Sequence, residues 1–266
     1  MSYNYISEKF PDRYVLDMPD DANALALQSG GWKFDYETLD EEGIRKSIAS
    51  DGRPLFASLF FPHFKDERYS IWELGPSDGY NTAGLEFHGA KNVVAIEGNV
   101  GSFLRCLLLK NYFNLTSKFL LGDFLKYLDA QKTGPELIYA SGVLYHLTDP
   151  ISFLKRCSEL SSDLFLWTFV YDNQLMLEHG YEKHMFAFDQ TETVEFAGRS
   201  IHYHKRYYDP AMVEGEKFAG GFESFANWLT QEDLFFLLEA LGYKILKTID
   251  DGYSGIPAMN IFATRR

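Results

Sequence analysis

Between Tyr69 and Asp172 the chain alternates short apolar runs with helical patterns, and this alternation limits its fold more than any other feature. Strand and helix repeated in turn build a mostly parallel sheet, because each strand must be joined to the next by a crossover. SIWEL (70–74) is a predicted strand ending at Gly75, and VVAIE (93–97) a second ending on an acid. KFLLGD (118–123), ELIYAS (136–141) and DLFLWTFVYD (163–172) supply three more. Between them, residues 80–87 have a helical pattern that Gly89 is placed to stop. Asn99 is a predicted N-cap for a helix bringing Val100, Phe103, Leu104, Leu107 and Leu108 to one side, and Pro150 opens the helix of DPISFLKRCSEL. The period is lost over 173–225 and returns at Thr230 and Asp233, a capping pair before LFFLLEAL and Gly242. YKILKTIDD (243–251) and MNIFATR (259–265) then read as two strands joined through Gly252, Gly255 and Pro257, the last pairing as a hairpin with its predecessor.

This gives an α/β fold with a seven-stranded, mostly parallel sheet and helices on both faces. Its expected organisation is an N-terminal cap (1–68), an α/β core (69–172), an inserted lid over the strand ends (173–225) and a completion of the core (226–266). The cap is irregular apart from a short helix expected in LDEEGIRKSIAS. With 46% hydrophobic residues and 17% aromatic ones, the chain has the apolar mass for a full core. Its formal charge of −13 is spread along the sequence and opposes tight binding to a phosphate backbone. Cys106 and Cys157 are too few for a disulfide framework and read as small buried hydrophobes, which suits a reducing cytoplasm. The longest uncharged apolar stretch, Leu164 to Tyr171, falls far short of a membrane span, and MSYNYISEKF lacks the pattern of a secretory signal.

The segment ELGPSDG (73–79) joins the first strand to a helix. Gly75 and Gly79 permit a sharp turn and the close approach of a ligand, beside the free N–H groups of a helix start. The dinucleotide pattern G-x-G-x-x-G fails here, with Ser77 and Tyr80 in the places of its second and third glycines, which counts against a nicotinamide oxidoreductase. Glu97 ends the second strand, where a carboxylate can accept from both hydroxyls of a ribose. Asp123 ends the third, where it can accept from an adenine amine while Phe124 packs on the ring. One such acid is often only a solvated loop residue; acids at successive strand ends are a narrower coincidence.

Together, ELGPSDG, VVAIE, LLGDF and ASGVLYHLTDP resemble the successive motifs of class I S-adenosylmethionine-dependent methyltransferases, from about Ile71 to Val170 and more loosely from Leu229 to Thr264. GVLYH is most similar to a bacterial branch that includes the tRNA wobble-uridine carboxymethyl and methoxy-forming enzymes. The resemblance implies a Rossmann-like fold and S-adenosyl-L-methionine as cofactor. It implies that Glu73, Gly75 and Gly79, with Pro76 between them, hold the methionine end, that Glu97, with Gly98 beside it, takes the ribose, and that Asp123 and Phe124 take the adenine. Ser141, Gly142 and Val143 would line the exit of the fourth strand near the sulfonium. Pro76 and Ser77 depart from the glycine-rich centre common in the wider family and stiffen the loop.

His146 follows the fourth strand and is the candidate catalytic residue, with two readings: a general base of ordinary pKa ~6.5, or a group that hydrogen-bonds the backbone or orients the cofactor. Substrate specificity is expected in 173–225, with His179, His184, His202, His204, Tyr203, Arg206, Tyr207 and Tyr208. Its aromatics suit either the wall of an apolar pocket or a small satellite core. His202 and His204 share a strand face, but no metal-ligand spacing supports a site, and no metal is expected. Arg199, Lys205 and Arg206 read as a modest basic cluster on a solvated hairpin, and Trp228 as packing where the insertion rejoins the sheet. The expected activity is methyl transfer to a small-molecule acceptor, oxygen in preference to nitrogen or carbon, without nucleic-acid or membrane partners and compatible with an oligomer. The alternatives are a tRNA wobble-uridine-modifying enzyme and a non-catalytic cofactor-binding subunit.

Overall fold

The computed structural model describes residue 6 and residues 13–19, 41–178, 186, 191–214, 220–252 and 255–265. Seven strands form one sheet in the order β3-β2-β1-β4-β5-β10-β9: β1 Ser70–Leu74, β2 Asn92–Glu97, β3 Lys118–Leu121, β4 Leu137–Ser141, β5 Asp163–Phe169, β9 Lys244–Asp250 and β10 Ala258–Thr264. A second sheet has the order β6-β7-β8, from Glu192–Phe196, Arg199–Tyr207 and Phe225–Trp228. The chain divides into two compact units, residues 11–139 and residues 1–10 with 140–266, the division falling within β4.

In unit 11–139, β1 pairs in parallel with both β2 and β4, and β2 with β3. Its helices are α1 Glu41–Ser50, α2 Gly52–Phe60, α3 Tyr80–Phe87, α4 Val100–Phe113 and α5 Phe124–Ala130. The Asn99 side chain caps α4 by accepting from the Ser102 N–H at 3.0 Å. One face of α4 then buries Phe103, Leu104 and Cys106 against Ala95, Phe119 and Leu121. Two helices lie where the sequence shows little period. Asp51 caps α2 at the Arg53 N–H, and α2 meets α3 where Gly84 faces Pro54. Asp123 caps α5 at the Leu125 N–H. Val15 packs against the α4 cluster, so residues 13–19 also belong to this unit.

In the other unit, β10 lies between β5 and β9 and is antiparallel to both, the arrangement expected of a terminal hairpin. Helix α6 (Pro150–Leu160) starts at the Asp149 cap with Pro150 in its first turn, and α9 (Gln231–Ala240) starts at Thr230, whose hydroxyl accepts from the Asp233 N–H at 3.1 Å. Short helices α7 (Asn173–Glu178) and α8 (Pro210–Glu214) flank the β6–β7 hairpin. The second sheet is pinned to the turn after β4: the Asn227 N–H donates to the Leu147 carbonyl at 2.9 Å, and its side-chain amide to the Thr148 carbonyl at 2.6 Å.

Candidate functional site

The loop after β1 is built from left-handed backbone: φ is 64° at Gly75, 54° at Ser77 and 81° at Gly79. Ser77 adopts this conformation without glycine's freedom, so other contacts must hold it there. Its N–H donates to Glu97 Oε2 at 2.8 Å, and its carbonyl accepts from the Cys106 thiol at 3.0 Å. Gly79 caps α3 close to Cys106, where an added Cβ would lie 3.3 Å from the sulfur. The other Glu97 oxygen, Oε1, accepts from the Asn99 N–H at 2.7 Å, with the Gly98 N–H also directed at this carboxylate. Burial dominates those hydrogen bonds and pushes Glu97 up to about 7. Glu73 lies beneath the loop, wholly buried, and accepts from the Thr82 hydroxyl of α3; burial pushes it up to about 8.

Asp123 is buried at the end of β3, its carboxylate occupied as the cap of α5, while Phe124 is half-buried in the first position of that helix. Residues 13–19 run along the same loops. The Val15 N–H donates to the Gly98 carbonyl, the Val100 N–H to the Arg13 carbonyl and the Asp123 N–H to the Asp17 carbonyl. Gly122 has φ 152°, and a Cβ there would sit 2.7 Å from the Asp17 oxygen, so only glycine lets the segment pass. Sequence reading missed this strap, because its partners are backbone groups distant along the chain.

In the other unit, Ser141 ends β4 and Gly142, with φ 84°, donates its N–H to the Trp167 carbonyl at 2.9 Å. Val143 leads into a 3₁₀ turn, Leu144–His146. Tyr145 stands edge-on to Trp167, Phe169 and Trp228, with ring centroids 5.9, 4.6 and 5.9 Å away. His146 Nδ1 lies 2.5 Å from the Tyr208 hydroxyl. That hydroxyl also accepts from the Gly221 N–H at 3.5 Å, so it is held in place against the imidazole. Burial, helped by the Arg206 charge, pushes His146 down to about 3. The imidazole is therefore neutral at ordinary pH and a far weaker base than the sequence position suggests.

The expected cluster of Arg199, Lys205 and Arg206 separates in the fold. Arg199 pairs with Glu232 and Asp233, Lys205 lies over the Phe225 ring, and Arg206 is buried. β7 changes its partner from β6 to β8 after Tyr203, and with it the face that is covered. Tyr203 turns to Asp149, whereas Arg206 and Tyr208 are buried on the opposite side, with His204 partly so. Trp228 stacks on Phe169 at 5.4 Å, the packing expected of it. Among the described residues no group of three His, Cys, Asp or Glu side chains converges as a metal site; His179 and His184 lie outside the described residues. Cys106 and Cys157 are buried free thiols, both pushed up by burial.

No family model matches the sequence. A tRNA U34 carboxymethyltransferase from Helicobacter hepaticus is 31% identical over 124 residues, 43% of this chain and 39% of that protein. The N-terminal domain of EvdMO1 with SAH bound aligns over 93% of this chain and 98% of its own, with TM-score 0.56 and 19% identity. Magnesium protoporphyrin IX methyltransferase (ChlM) from Synechocystis PCC 6803 with bound SAH aligns over 92% and 95%, with TM-score 0.53 and 11% identity. The CcbJ methyltransferase from Streptomyces caelestis aligns over 80% and 89%, with TM-score 0.51 and 16% identity. With the strand order, these likenesses show that the chain has the class I S-adenosylmethionine-dependent methyltransferase fold.

Proposed function

We propose that this chain is an S-adenosylmethionine-dependent methyltransferase that acts on a small-molecule acceptor, with oxygen as the preferred acceptor atom. The observation that carries this reading is the Glu97 carboxylate at the end of β2, gripped by the Ser77 and Asn99 N–H groups. At least one lone pair remains open beside these N–H groups, and a buried carboxylate still pushed up to about 7 is short of donors. Two vicinal ribose hydroxyls would supply them, so the residues present fit an adenosyl cofactor. Gly75, Pro76 and Gly79 would take its methionine end with Glu73 as the charge beneath them, Gly98 and Glu97 the ribose, and Asp123 and Phe124 the adenine edge. Ser141, Gly142 and Val143 are assigned to the transferable methyl.

When bound, the cofactor supplies an electrophilic methyl carbon on a sulfonium that leaves as a neutral thioether. The chain's own work is to position the acceptor and exclude water. His146, neutral and held at Nδ1 by the Tyr208 hydroxyl, suits a group that orients the acceptor better than a base that deprotonates it. This favours an oxygen acceptor that arrives already ionised, which needs no base.

The identity to a tRNA-modifying enzyme favours a second reading, tRNA wobble-uridine modification. The formal charge of −13 opposes it. Two measurements test the assignment: calorimetric titration with S-adenosylhomocysteine, expected to give saturable heat, and gel retardation with bulk tRNA. Absence of binding and of thermal protection overturns the cofactor reading, and tight, salt-sensitive retardation overturns the small-molecule acceptor.

A further inference from the structure

Arg206 is buried, with 9% of its surface exposed, yet no acid figures among the described groups that act on it. Its charge is met by the Tyr208 hydroxyl and by two ring faces, Tyr208 at 5.0 Å and Trp228 at 5.6 Å. Removing a cation from water costs several kcal/mol unless a counter-charge replaces the lost hydration, so a buried arginine in this state needs a reason. A second observation points the same way: of the nine buried side-chain atoms without a hydrogen-bond partner among the described residues, Arg206 Nε, Trp228 Nε1 and His204 Nε2 lie on this face. Native structures hold few such atoms.

These atoms are not scattered. His204, Arg206 and Tyr208 are alternate residues on one side of β7 and its continuation, and Trp228 lies directly opposite His204 in the β7–β8 register. The surrounding walls are aromatic and flat. Phe169 stacks beneath Trp228, Phe186 meets its edge at 5.2 Å, and Tyr171 stacks on His204 at 3.7 Å. His204, pushed down to about 4 by burial and by His202, contributes a neutral ring. Arg206 is the cationic group on this face, with Asp233 acting on His204 from the side and the buried Glu223 carboxylate lying just before β8.

We propose that this face is the anchoring subsite of the acceptor and that it takes the carboxylate of an aromatic acid. Arg206 supplies the counter-charge, the Trp228 indole N–H and the His204 ring supply neutral hydrogen bonds, and the aromatic walls cover the acceptor's ring. One cation matches a monoanion; a phosphate dianion would be left half-neutralised. The inference rests on the methyltransferase reading for the word acceptor, but the anion subsite itself is testable without turnover.

The full-length protein is titrated with benzoate, benzamide and phenyl phosphate, following the indole N–H resonance that Trp228→Phe removes. S-adenosylhomocysteine is titrated in parallel by calorimetry. Benzoate is expected to bind at least tenfold more tightly than either benzamide or phenyl phosphate and to shift the Trp228 resonance. Arg206→Gln should erase that preference while leaving the heat of S-adenosylhomocysteine binding unchanged. Its melting temperature should equal or exceed that of the parent, because an uncompensated buried charge is removed. Trp228→Phe should weaken benzoate while retaining its advantage over benzamide. Equal affinity for benzoate and benzamide, a preference for phenyl phosphate, or a benzoate preference that survives in Arg206→Gln overturns the subsite. If Arg206→Gln does not fold, the proposal is also overturned, since the charge is then structural. Saturable binding of S-adenosylhomocysteine with no benzoate preference sinks this inference alone. The reverse pair of results sinks the methyltransferase reading and leaves the anion subsite standing.

Discussion

At the scale of single residues, the chemistry is set by how far burial moves each group from its ordinary titration. Glu97, pushed up to about 7, is about half protonated near neutrality in the free protein, and its protonated form cannot accept from two hydroxyls with full charge assistance. Affinity for S-adenosylhomocysteine should therefore rise between pH 6 and pH 8. Glu97→Gln should flatten that rise and weaken binding by about 1–3 kcal/mol, the range for a lost charged hydrogen bond. Calorimetry across the pH range checks both, and a parallel rise in the variant would assign the dependence elsewhere. His146 is moved in the opposite sense. With its conjugate acid pushed down to about 3, the pH profile of kcat/KM should show no limb near pH 6.5 that His146→Gln removes. The variant should lose turnover while keeping its affinity for S-adenosylhomocysteine. A lost limb in that variant would restore the general-base reading.

At the scale of elements, what was legible in the sequence follows from periodicity. SIWEL and the helix over 80–87 were readable to the residue because apolar runs bounded by turn residues have few alternatives. The Asn99 and Thr230 caps were readable for a related reason, since a cap is a local hydrogen bond. Helix α2 was not, because GRPLFASLF begins with glycine and proline and is held by Asp51 and by contact with α3. The acids at the ends of β2 and β3 were legible by position, whereas the burial that raises them was not. Arg206 shows the limit best: on β7 it looks like part of a basic hairpin, and only the change of partner from β6 to β8 puts it inside. The contact of α2 with α3 carries its own prediction. A Cβ on Gly84 would lie 2.7 Å from Pro54 Cγ, and a proline ring yields little. Gly84→Ala should cost about 1–3 kcal/mol in chemical denaturation, the usual penalty of overpacking, despite alanine's better helix propensity. A stabilised variant would mean that α2 gives way freely.

At the scale of the whole molecule, the same buried groups fix how stability depends on pH, each acting in its own unit. Glu73 and Glu97 belong to residues 11–139 and are pushed up to about 8 and about 7. The folded unit binds their protons more tightly than the unfolded chain, so their contribution is complete below pH ~4.5 and is lost as pH rises through the folded values. His146 and His204 belong to the other unit and are pushed down to about 3 and about 4. There the unfolded chain binds protons more tightly, so stability is complete above pH ~6.5 and falls as the solution is acidified. Between the ordinary carboxylate and imidazole values the trends oppose each other, which gives a broad optimum from about pH 4.5 to pH 6.5. Above it the carboxylates still titrate, the buried thiols Cys106 and Cys157 act in the same sense as pH nears ~9, and self-repulsion from a formal charge of −13 adds to the effect. Thermal denaturation of the ligand-free protein should therefore show a lower melting temperature at pH 8.5 than at pH 6. Glu73→Gln should remove a large part of that loss, since each pH unit between folded and unfolded values is worth about 1.4 kcal/mol, and should leave the acid side unchanged. His146→Gln should do the converse, easing the fall below pH 4.5 without touching the alkaline side. Hydrogen exchange should locate the alkaline weakening in residues 11–139 and the acid weakening in residues 140–266. A Glu73→Gln protein that still loses stability fully between pH 6 and pH 8.5 would show that the buried carboxyl beneath the β1 loop is not what the alkaline side titrates.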